Sequence, residues 1–229
     1  MSGAISPMRI GKTYTLAQAA RLAGTTAQNV RRWMYGYVAP GHRMKPVFGP
    51  QPEREGRPEI SFLQLAELIV VARYRKRGGK RIPLERLRQA HDFARTRLQL
   101  EYPFASDTIR VSGAHVIHEF EESHPAAHRT SRIAIDVGGH YELPWDIQDT
   151  LELFDFDPND SLALRFYPLG RDHKVVIDPE HAAGLPTIEG TNVRLETIVA
   201  RWRAGQLIAE LEADFEIPRD VLEAALQAA

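Results

Sequence analysis

Residues 16–33 constrain the fold of this chain more than any other stretch, because their pattern predicts two short helices joined by a tight turn. Ala19, Ala20 and Ala23 form a small-residue face on the first helix, which lets a second helix approach closely. Gly24 follows where the chain leaves the helix, at a position that often requires a positive φ angle. This arrangement predicts a helix-turn-helix, with an ordinary αα-hairpin as the alternative.

The second helix is predicted to span residues 26–35, with one apolar face and one basic face. Thr25 or Thr26 can cap its N-terminus with a hydroxyl group. Val30 and Trp33 are three residues apart, so they share a face that can pack against the first helix. The opposite face suits base edges and phosphates, since arginine pairs with guanine, and asparagine or glutamine with adenine. The DNA-contacting residues predicted on this helix are Thr26, Gln28, Asn29, Arg31 and Arg32.

The two halves of the chain carry opposite charge, although the formal net charge is only −1. Residues 1–98 hold 19 Lys and Arg against 6 Asp and Glu, whereas residues 99–229 hold 10 against 24. The basic half suits the phosphate backbone of DNA, where the release of counterions favours binding. The acidic half repels DNA and is expected to face solvent or a basic protein.

Residues 36–58 are rich in glycine, proline and arginine, which predicts an irregular loop or a wing. In a wing, residues 37–38 and 46–48 would form two short strands. Arg43 and Lys45 would then contact the DNA backbone beside the second helix. A plain connecting loop is the alternative.

Two longer helices are predicted after this segment. Ser61 caps the first, whose apolar residues make a face wide enough for a domain core, and Pro83 opens the second, which ends near residue 98. Between them, residues 73–81 carry six basic side chains, which suit the negative C-terminal end of a helix dipole. Phosphate contact by these side chains is left as an open alternative. Residues 1–11 are predicted to form a loose arm.

Residues 12–98 resemble the winged helix-turn-helix domain of MerR-like regulators. The resemblance is carried by residues 14–33, the wing, and residues 61–63 and 82–87. It implies a DNA-binding head. MerR-like regulators often have a long dimerisation helix and metal-binding cysteines. Here the helix that begins at Pro83 is short, and the chain has no cysteine, which rules out metal sensing through thiolates.

Residues 101–170 are predicted to form a small β-rich region. Hairpins are expected around Ser112-Gly113 and Gly138-Gly139. A helical turn is predicted from Pro144, followed by an acidic turn at residues 155–160 and an apolar strand at residues 162–167.

The last part of the chain is predicted to contain two short strand pieces and three short helices, at residues 195–203, 207–215 and 218–227. The last two helices have the spacing of a second helix-turn-helix, but the acidic side chains of the final helix favour dimerisation or docking of a partner over DNA binding. The predicted core of this unit comprises Ile198, Trp202, Leu207, Leu211, Phe215, Leu222 and Leu226. The last six of these are also the predicted partner-binding or dimerisation residues.

This C-terminal unit resembles a small family of bacterial domains of unknown function that occur largely in antitoxins. The resemblance rests on the IDP motif at residues 177–179, the G-x-P-x-I-x-G-T motif at residues 184–191, Ala204-Gly205 and Asp214-Phe215. Asn192 stands where the family usually has arginine. Together with the MerR-like head, the layout is similar to that of larger VapB-type antitoxins. That resemblance implies a PIN-domain ribonuclease toxin as partner.

Little in the sequence supports catalysis or a cofactor. The chain has no cysteine and no nucleotide-binding or nucleophile-elbow motif. His124 and His128 could bind a metal only if helical, and Pro125 favours a loop; His115 and His118 would point to opposite faces of a strand. The acidic turn lacks the glycine and glutamate of a calcium loop. No apolar run is long enough to span a membrane, and no signal peptide is recognised.

The prediction is therefore an α+β protein with a MerR-like DNA-binding domain at residues 1–100, a β-rich region at 101–170 and an antitoxin-associated helical domain at 171–229. We expect a cytoplasmic, homodimeric antitoxin without cofactor or metal, which represses its own operon and neutralises a PIN-domain ribonuclease. The alternative is a stand-alone MerR-like regulator whose C-terminal part senses a ligand or dimerises. A nucleic-acid-processing enzyme is the third hypothesis, and it would require metal-dependent turnover.

Overall fold

The computed structural model describes residues 5–49, 59–75, 84–108, 134–135, 141–142 and 149–228. The predicted α+β class is confirmed, and the strands in these ranges pair into small antiparallel two-stranded sheets. The helices are α1 (Pro7–Ile10), α2 (Leu16–Leu22), α3 (Ala27–Tyr35), α4 (Phe62–Arg75), α5 (Leu84–Leu98), α6 (Leu195–Arg203), α7 (Ile208–Phe215) and α8 (Arg219–Gln227). The strands are β1 (Lys12–Thr15), β2 (Tyr37–Ala39), β3 (His42–Met44), β4 (Glu59–Ser61), β5 (Ala134–Ile135), β6 (Tyr141–Glu142), β7 (Phe154–Phe156), β8 (Ala163–Phe166), β9 (Val175–Val176) and β10 (Thr187–Ile188). Across these described ranges, every helix is too short or too polar to cross a membrane.

Helices α2 and α3 form the predicted helix-turn-helix, and each has a capped N-terminus. The Thr15 hydroxyl accepts the Gln18 amide N–H at 3.2 Å, and the Gln18 side chain accepts the Thr15 N–H at 2.9 Å, which makes a capping box. Gly24 has the expected positive φ of 62° in the turn. Of the two candidate caps for α3, the structure selects Thr26, whose hydroxyl oxygen accepts the Asn29 N–H at 3.2 Å.

A β-hairpin follows α3, as a wing would, but its second strand differs from the prediction. Strands β2 and β3 pair so that Ala39 lies opposite His42, with Gly41 at φ 78° in the turn. The prediction of a strand at residues 46–48 is wrong, because this two-residue turn starts the return strand earlier. Val47 instead enters the core, and its N–H donates to the Trp33 carbonyl at 2.7 Å.

Helix α4 is the centre of the largest core. The prediction placed one apolar face inward, but every residue from 61 to 72 is buried, because α1, α2, β1, β8 and a 3₁₀ turn at Pro103–Ala105 pack around it. The buried Glu67 carboxylate is satisfied by His91 Nε2 at 3.0 Å and by the Phe104 N–H at 3.2 Å. Ser61 and Gln64 form the cap predicted at the start of this helix.

Residues 5–11 do not form the loose arm that was predicted for residues 1–11, of which residues 1–4 lie outside the described ranges. Residues 7–10 form α1, which packs on α4, and Arg9 is buried to 2% exposure. The Arg9 guanidinium pairs with Asp157 and Asp160 in the acidic turn that joins β7 to β8. This long-range ion pair holds residues 7–10 in place.

Only parts of the predicted middle region lie in the described residues. The hairpin around Gly138-Gly139 is confirmed in part by the pairing of β5 with β6, and residues 149–151 are helical, as expected. The apolar strand predicted at residues 162–167 is β8, which pairs with β7 across the acidic turn. The hairpin around Ser112-Gly113 lies outside the described residues.

The C-terminal unit has its own core, and its three helices begin and end within one residue of the predicted bounds. Ile198, Leu211 and Leu222 are fully buried in that core, beside Val175 and other apolar residues. The prediction that Trp202 and Leu207 belong to it is wrong, since both are exposed. They lie where α6 ends and α7 begins, at a corner that no described segment covers.

A buried hydrogen bond joins the head to the C-terminal unit. Tyr14 in β1 donates its hydroxyl to the Gly184 carbonyl at 2.8 Å. Burial raises the pKa of Tyr14, and the nearby Asp178 carboxylate raises it further, so the hydroxyl stays protonated and keeps donating. Residues of the head and of β7 and β8 also share one hydrophobic core. The predicted division of the chain at residues 100 and 170 stays a prediction.

Candidate nucleic-acid interface

Helix α3 separates an apolar face from a polar face. Val30 and Met34 are buried against the body of the head, together with Trp33. Gln28 and Arg31 are exposed on the other side of the helix. This division arises because the apolar residues recur at three- and four-residue spacing, which places them on one side of an α-helix.

Two of the predicted contact residues take part in capping the helix. Thr26 uses its hydroxyl oxygen to accept the Asn29 N–H, as described above. The Asn29 side-chain amide donates to the Thr25 hydroxyl at 3.1 Å, and Asn29 is half-buried. Its amide oxygen can still accept a hydrogen bond, but the side chain is less free to read a base than sequence reasoning assumed.

Arg32 is exposed and rests on an aromatic ring that sequence reasoning missed. Its guanidinium carbon lies 5.0 Å from the centre of the Tyr37 ring in β2. A cation held over an aromatic face is attracted by the ring quadrupole, which limits the rotamers that Arg32 visits. The signal in the sequence was an aromatic residue placed directly after Gly36, the residue that ends α3.

Gly36 sets the angle between α3 and the hairpin. Its φ is 75°, and a Cβ atom at this position would overlap the carbonyl oxygen of Met44 in β3. A residue with a side chain would therefore push the hairpin away from α3. The close approach of β3 to the end of α3 thus depends on glycine.

The two predicted backbone-contacting residues lie on or beside this hairpin. Arg43 and Lys45 are both exposed, and the prediction that they contact DNA stays a prediction. The carbonyl of Lys45 accepts the Arg88 Nε–H at 2.6 Å, which ties the base of the hairpin to α5. The charged groups of Arg43 and Lys45 are thus carried by a hairpin that approaches α3 closely at Gly36 and is tied to α5 by Arg88.

Part of the predicted basic cluster after α4 is also described. Arg73 is exposed, and the Arg75 guanidinium lies 5.9 Å from the centre of the Trp33 ring. The four other basic residues predicted there lie outside the described residues.

The six predicted partner-binding residues separate into three groups. Leu211 and Leu222 are fully buried inside the C-terminal core, and Phe215 and Leu226 are half-buried at its edge. Among the described residues of this unit, 171–228, large exposed apolar side chains lie only at the junction of α6 and α7. Those side chains are Trp202, 45% exposed, and Leu207, 66% exposed.

The acidic turn is occupied by the protein's own side chains. Asp157 and Asp160 pair with Arg9, and Asp155 pairs with Arg171 at 2.8 Å. In the described ranges, no group of three or more histidine, aspartate or glutamate residues is arranged to hold a metal ion. The four histidines weighed as metal ligands, His115, His118, His124 and His128, lie outside those ranges.

Two family models match the chain, one at each end. Residues 12–91 match the model described as "Putative DNA-binding HTH domain". Residues 175–228 match "Protein of unknown function (DUF433)". The first match covers the helix-turn-helix and the hairpin, and the second covers the C-terminal core.

Two relatives from Mycobacterium tuberculosis are similar along almost their whole length. The protein named "Putative antitoxin VapB45" is 25% identical over 225 residues, which cover 94% of this chain and 92% of the relative. "Uncharacterized protein Rv2308" is 25% identical over 229 residues, covering 92% of this chain and 87% of the relative.

A crystal structure of Rv2018 from Mycobacterium tuberculosis has the same fold. The TM-score is 0.76 at 24% identity, and the match covers 95% of this chain and 99% of that one. The head of the chain is therefore similar to the first of these two family models, and its C-terminal unit is similar to the second.

Proposed function

We propose that this protein is the DNA-binding antitoxin of a type II toxin–antitoxin pair, which represses its own operon and neutralises a PIN-domain ribonuclease. The observation that carries the DNA-binding part is the exposed face of α3, where Gln28, Arg31 and Arg32 stand opposite the buried Val30 and Trp33. The antitoxin part is supported by the full-length similarity to a protein of that name.

In this proposal α3 is the recognition helix of a MerR-like winged helix-turn-helix. It enters the major groove, where an arginine can donate two hydrogen bonds to guanine and Gln28 can pair with adenine. Arg43 and Lys45 follow the phosphate backbone from the hairpin, and Thr26 and Asn29 contact DNA from the capped N-terminus of α3. A homodimer would place two such heads on an inverted repeat.

The acidic half of the chain would hold the toxin. An acidic surface covering the basic RNA groove of the ribonuclease fits the charge of residues 99–229 better than a basic side chain entering an acidic pocket. The complex is then expected to weaken as salt rises. A complex that high salt does not loosen would contradict this mode of binding.

Replacing both Arg31 and Arg32 with alanine is expected to weaken operator binding by about 30-fold or more, because each base contact of this kind is worth about 1–3 kcal/mol. The salt dependence of binding should also become shallower. Gel-shift or anisotropy titrations at several salt concentrations measure both quantities. The control replaces Arg194 and Arg219, two exposed arginines of the C-terminal unit, and should leave affinity unchanged. Equal affinities for the two variants would show that α3 does not read DNA.

Replacing Tyr37 with alanine is expected to weaken operator binding by about 3- to 10-fold, because the ring no longer holds Arg32 in place. Replacing Tyr37 with phenylalanine keeps the aromatic face and should retain near-normal affinity. In the Arg32→Ala background, Tyr37→Ala should have no further effect on binding. A full additional loss in that background would mean that Tyr37 acts independently of Arg32.

Co-expression with the product of the neighbouring reading frame tests the antitoxin proposal. We expect a neighbour that is toxic alone, harmless together with this chain, and co-purified as a ribonuclease with its activity suppressed. A harmless neighbour that does not co-purify would favour the stand-alone MerR-like regulator. In that case a small molecule that raises the melting temperature would indicate a ligand-sensing C-terminal part.

The proposal gives the chain no reaction of its own and places it in the cytoplasm, where its operator lies. It also assigns DNA binding to residues 1–100, and toxin contact and assembly to residues 101–170 and 171–229. Metal-dependent turnover by the pure protein would overturn the statement that the chain catalyses no reaction.

A further inference from the structure

We infer that Tyr35, the last residue of α3, reads a thymine by packing its ring on the 5-methyl group of that base in the major groove. The inference rests on the proposed function, because it adds a specificity-determining residue to the same DNA-reading face. It starts from an aromatic side chain that is exposed on the polar side of an amphipathic helix.

Tyr35 lies in the middle of the polar face of α3. Seven residues make almost two helical turns, so Tyr35 and Gln28 lie within about 20° of each other around the helix axis. Arg31 and Arg32 come four and three residues before Tyr35, which places one of them on each side of it. The side chains that α3 buries point away from this face.

The exposure of Tyr35 distinguishes it from the other large apolar residues of α3. Tyr35 is 39% exposed, whereas Val30, Trp33 and Met34 are each at most 3% exposed. A tyrosine ring offers a large apolar area with few rotatable bonds, which suits it to interfaces. Its place among charged and polar side chains indicates a partner that is itself highly polar but carries an apolar group.

The length of α3 brings the ring within reach of base edges. At a rise of about 1.5 Å per residue, Tyr35 lies about 10 Å beyond Gln28 along the helix axis. This distance is less than the width of the major groove, about 12 Å, and corresponds to about three base-pair steps. Gln28 and Tyr35 can therefore contact bases about three pairs apart, with the two arginines between them.

Thymine is the base whose chemistry matches an exposed ring. Its 5-methyl group is an apolar feature among the hydrogen-bonding groups that base edges present in the major groove. Packing the ring on this methyl group removes apolar surface of both partners from water. The Tyr35 hydroxyl could instead donate to a phosphate, a contact that is independent of the base. The position of Tyr35 at the centre of the face, in line with Gln28, favours the base.

Uracil-substituted DNA tests the inference, because uracil lacks only the 5-methyl group of thymine. The probe is the DNA fragment upstream of this chain's own reading frame, prepared once with thymine and once with uracil. Anisotropy titrations measure the affinity of the full chain for each fragment. Burial of one methyl group is worth about a fourfold change in affinity, so a dimer on two half-sites should bind the uracil fragment about 15-fold more weakly.

Three variants connect this loss to Tyr35. Tyr35→Ala should weaken binding of the thymine fragment by about 15-fold or more, and uracil should then cost less than about twofold further. Tyr35→Phe keeps the ring, so it should retain near-normal affinity and the full loss with uracil. Val38→Ala is the matched control, since Val38 is an exposed apolar residue of β2, and it should also retain the full loss with uracil. Because Tyr35 and Val38 lie at the surface, each variant should keep the wild-type circular dichroism spectrum.

The possible outcomes separate this inference from the proposed function. A wild-type chain that binds both fragments equally well, or a Tyr35→Ala variant that keeps the full loss with uracil, would refute the thymine contact alone. Equal losses of affinity in Tyr35→Phe and Tyr35→Ala, without any effect of uracil, would assign the hydroxyl to a phosphate and overturn the inference. A wild-type chain that binds neither fragment would refute the proposed DNA-binding function and the thymine contact together.

Discussion

Replacing Arg9 with methionine is expected to lower the free energy of unfolding by about 3–5 kcal/mol, as when one partner is removed from a buried ion pair. Arg9 Nη2 lies 3.2 Å from Asp157 and also contacts Asp160, and Nη1 lies 3.2 Å from Asp160. Its Nη1 also reaches the carbonyls of Leu162 and Ala163 at 3.4 and 3.5 Å. Methionine keeps most of the volume but leaves the two aspartates without a cation. Urea denaturation followed by circular dichroism measures the loss.

Two further variants separate the ion pair from general surface charge. Arg219→Met removes an exposed arginine that pairs with Glu223 at 2.7 Å, and it should cost much less stability than Arg9→Met, because solvent screens this surface pair. Adding Asp157→Asn and Asp160→Asn to Arg9→Met should recover part of the stability, because the carboxylates then carry no unpaired charge. If Arg9→Met costs no more than Arg219→Met, the buried network does not hold α1 in place.

The same network gives this stabilisation a pH dependence. Hydrogen bonds from the backbone and side chain of Asn159, and then the charge of Arg9, hold the pKa of Asp157 below its ordinary value. The stability that Asp157 contributes is therefore fully present above that ordinary value and is lost as the pH falls through the lowered pKa. In Arg9→Met one of these causes is gone, so acid unfolding should begin at a higher pH than in the wild type.

Replacing Gly184 with alanine is expected to cost about 3–5 kcal/mol, combining overpacking of a buried site with a left-handed backbone. Gly184 has a φ of 69°, and a Cβ atom there would overlap the Tyr14 hydroxyl oxygen. Tyr14 is fully buried, so its ring cannot move aside without disturbing the core of the head. The variant should therefore loosen the contact between the head and the C-terminal unit. Thermal unfolding and hydrogen exchange at β1 measure both effects.

Gly190 provides the matched control for the backbone contribution. Its φ is 78°, but the space around a Cβ atom there is open, so Gly190→Ala should cost only about 1–2 kcal/mol. Tyr14→Phe alone should cost about 1–3 kcal/mol, since it leaves the buried Gly184 carbonyl without its donor. Combined with Gly184→Ala, it should cost less than the sum of the two, because the overlapping oxygen is absent. If the losses of stability in Tyr14→Phe and Gly184→Ala simply add, or if alanine has equal effects at Gly184 and Gly190, then contact with the Tyr14 hydroxyl is not what destabilises Gly184→Ala.

Local chemistry explains the features that were predicted correctly. The Thr26 cap, the positive φ of Gly24 and the Ser61–Gln64 cap depend on side chains within three residues of the backbone groups that they satisfy. The helices α6 to α8 were located for the same reason, since glycine, proline and apolar spacing act over one or two turns. The exposed polar face of α3 follows from helical periodicity alone.

Features that join distant segments could not be predicted in this way. Arg9 and Asp157 are 148 residues apart, and Tyr14 and Gly184 are 170 apart. Tyr37 reaches Arg32 only because the turn at Gly36 folds the hairpin back onto α3. No pattern within one segment indicates which partner such a residue will meet.

By itself, the sequence of this protein determined its α+β class, its helix-turn-helix with an outward basic face, and the three helices at its C-terminus. Propensity, capping and periodicity act within a few residues, so a linear reading captures them. Only the tertiary structure decided that α4 is buried on every side, that the N-terminal segment closes on the acidic turn, and that Trp202 and Leu207 face solvent. Burial depends on what else packs nearby, and packing is set by the whole chain at once.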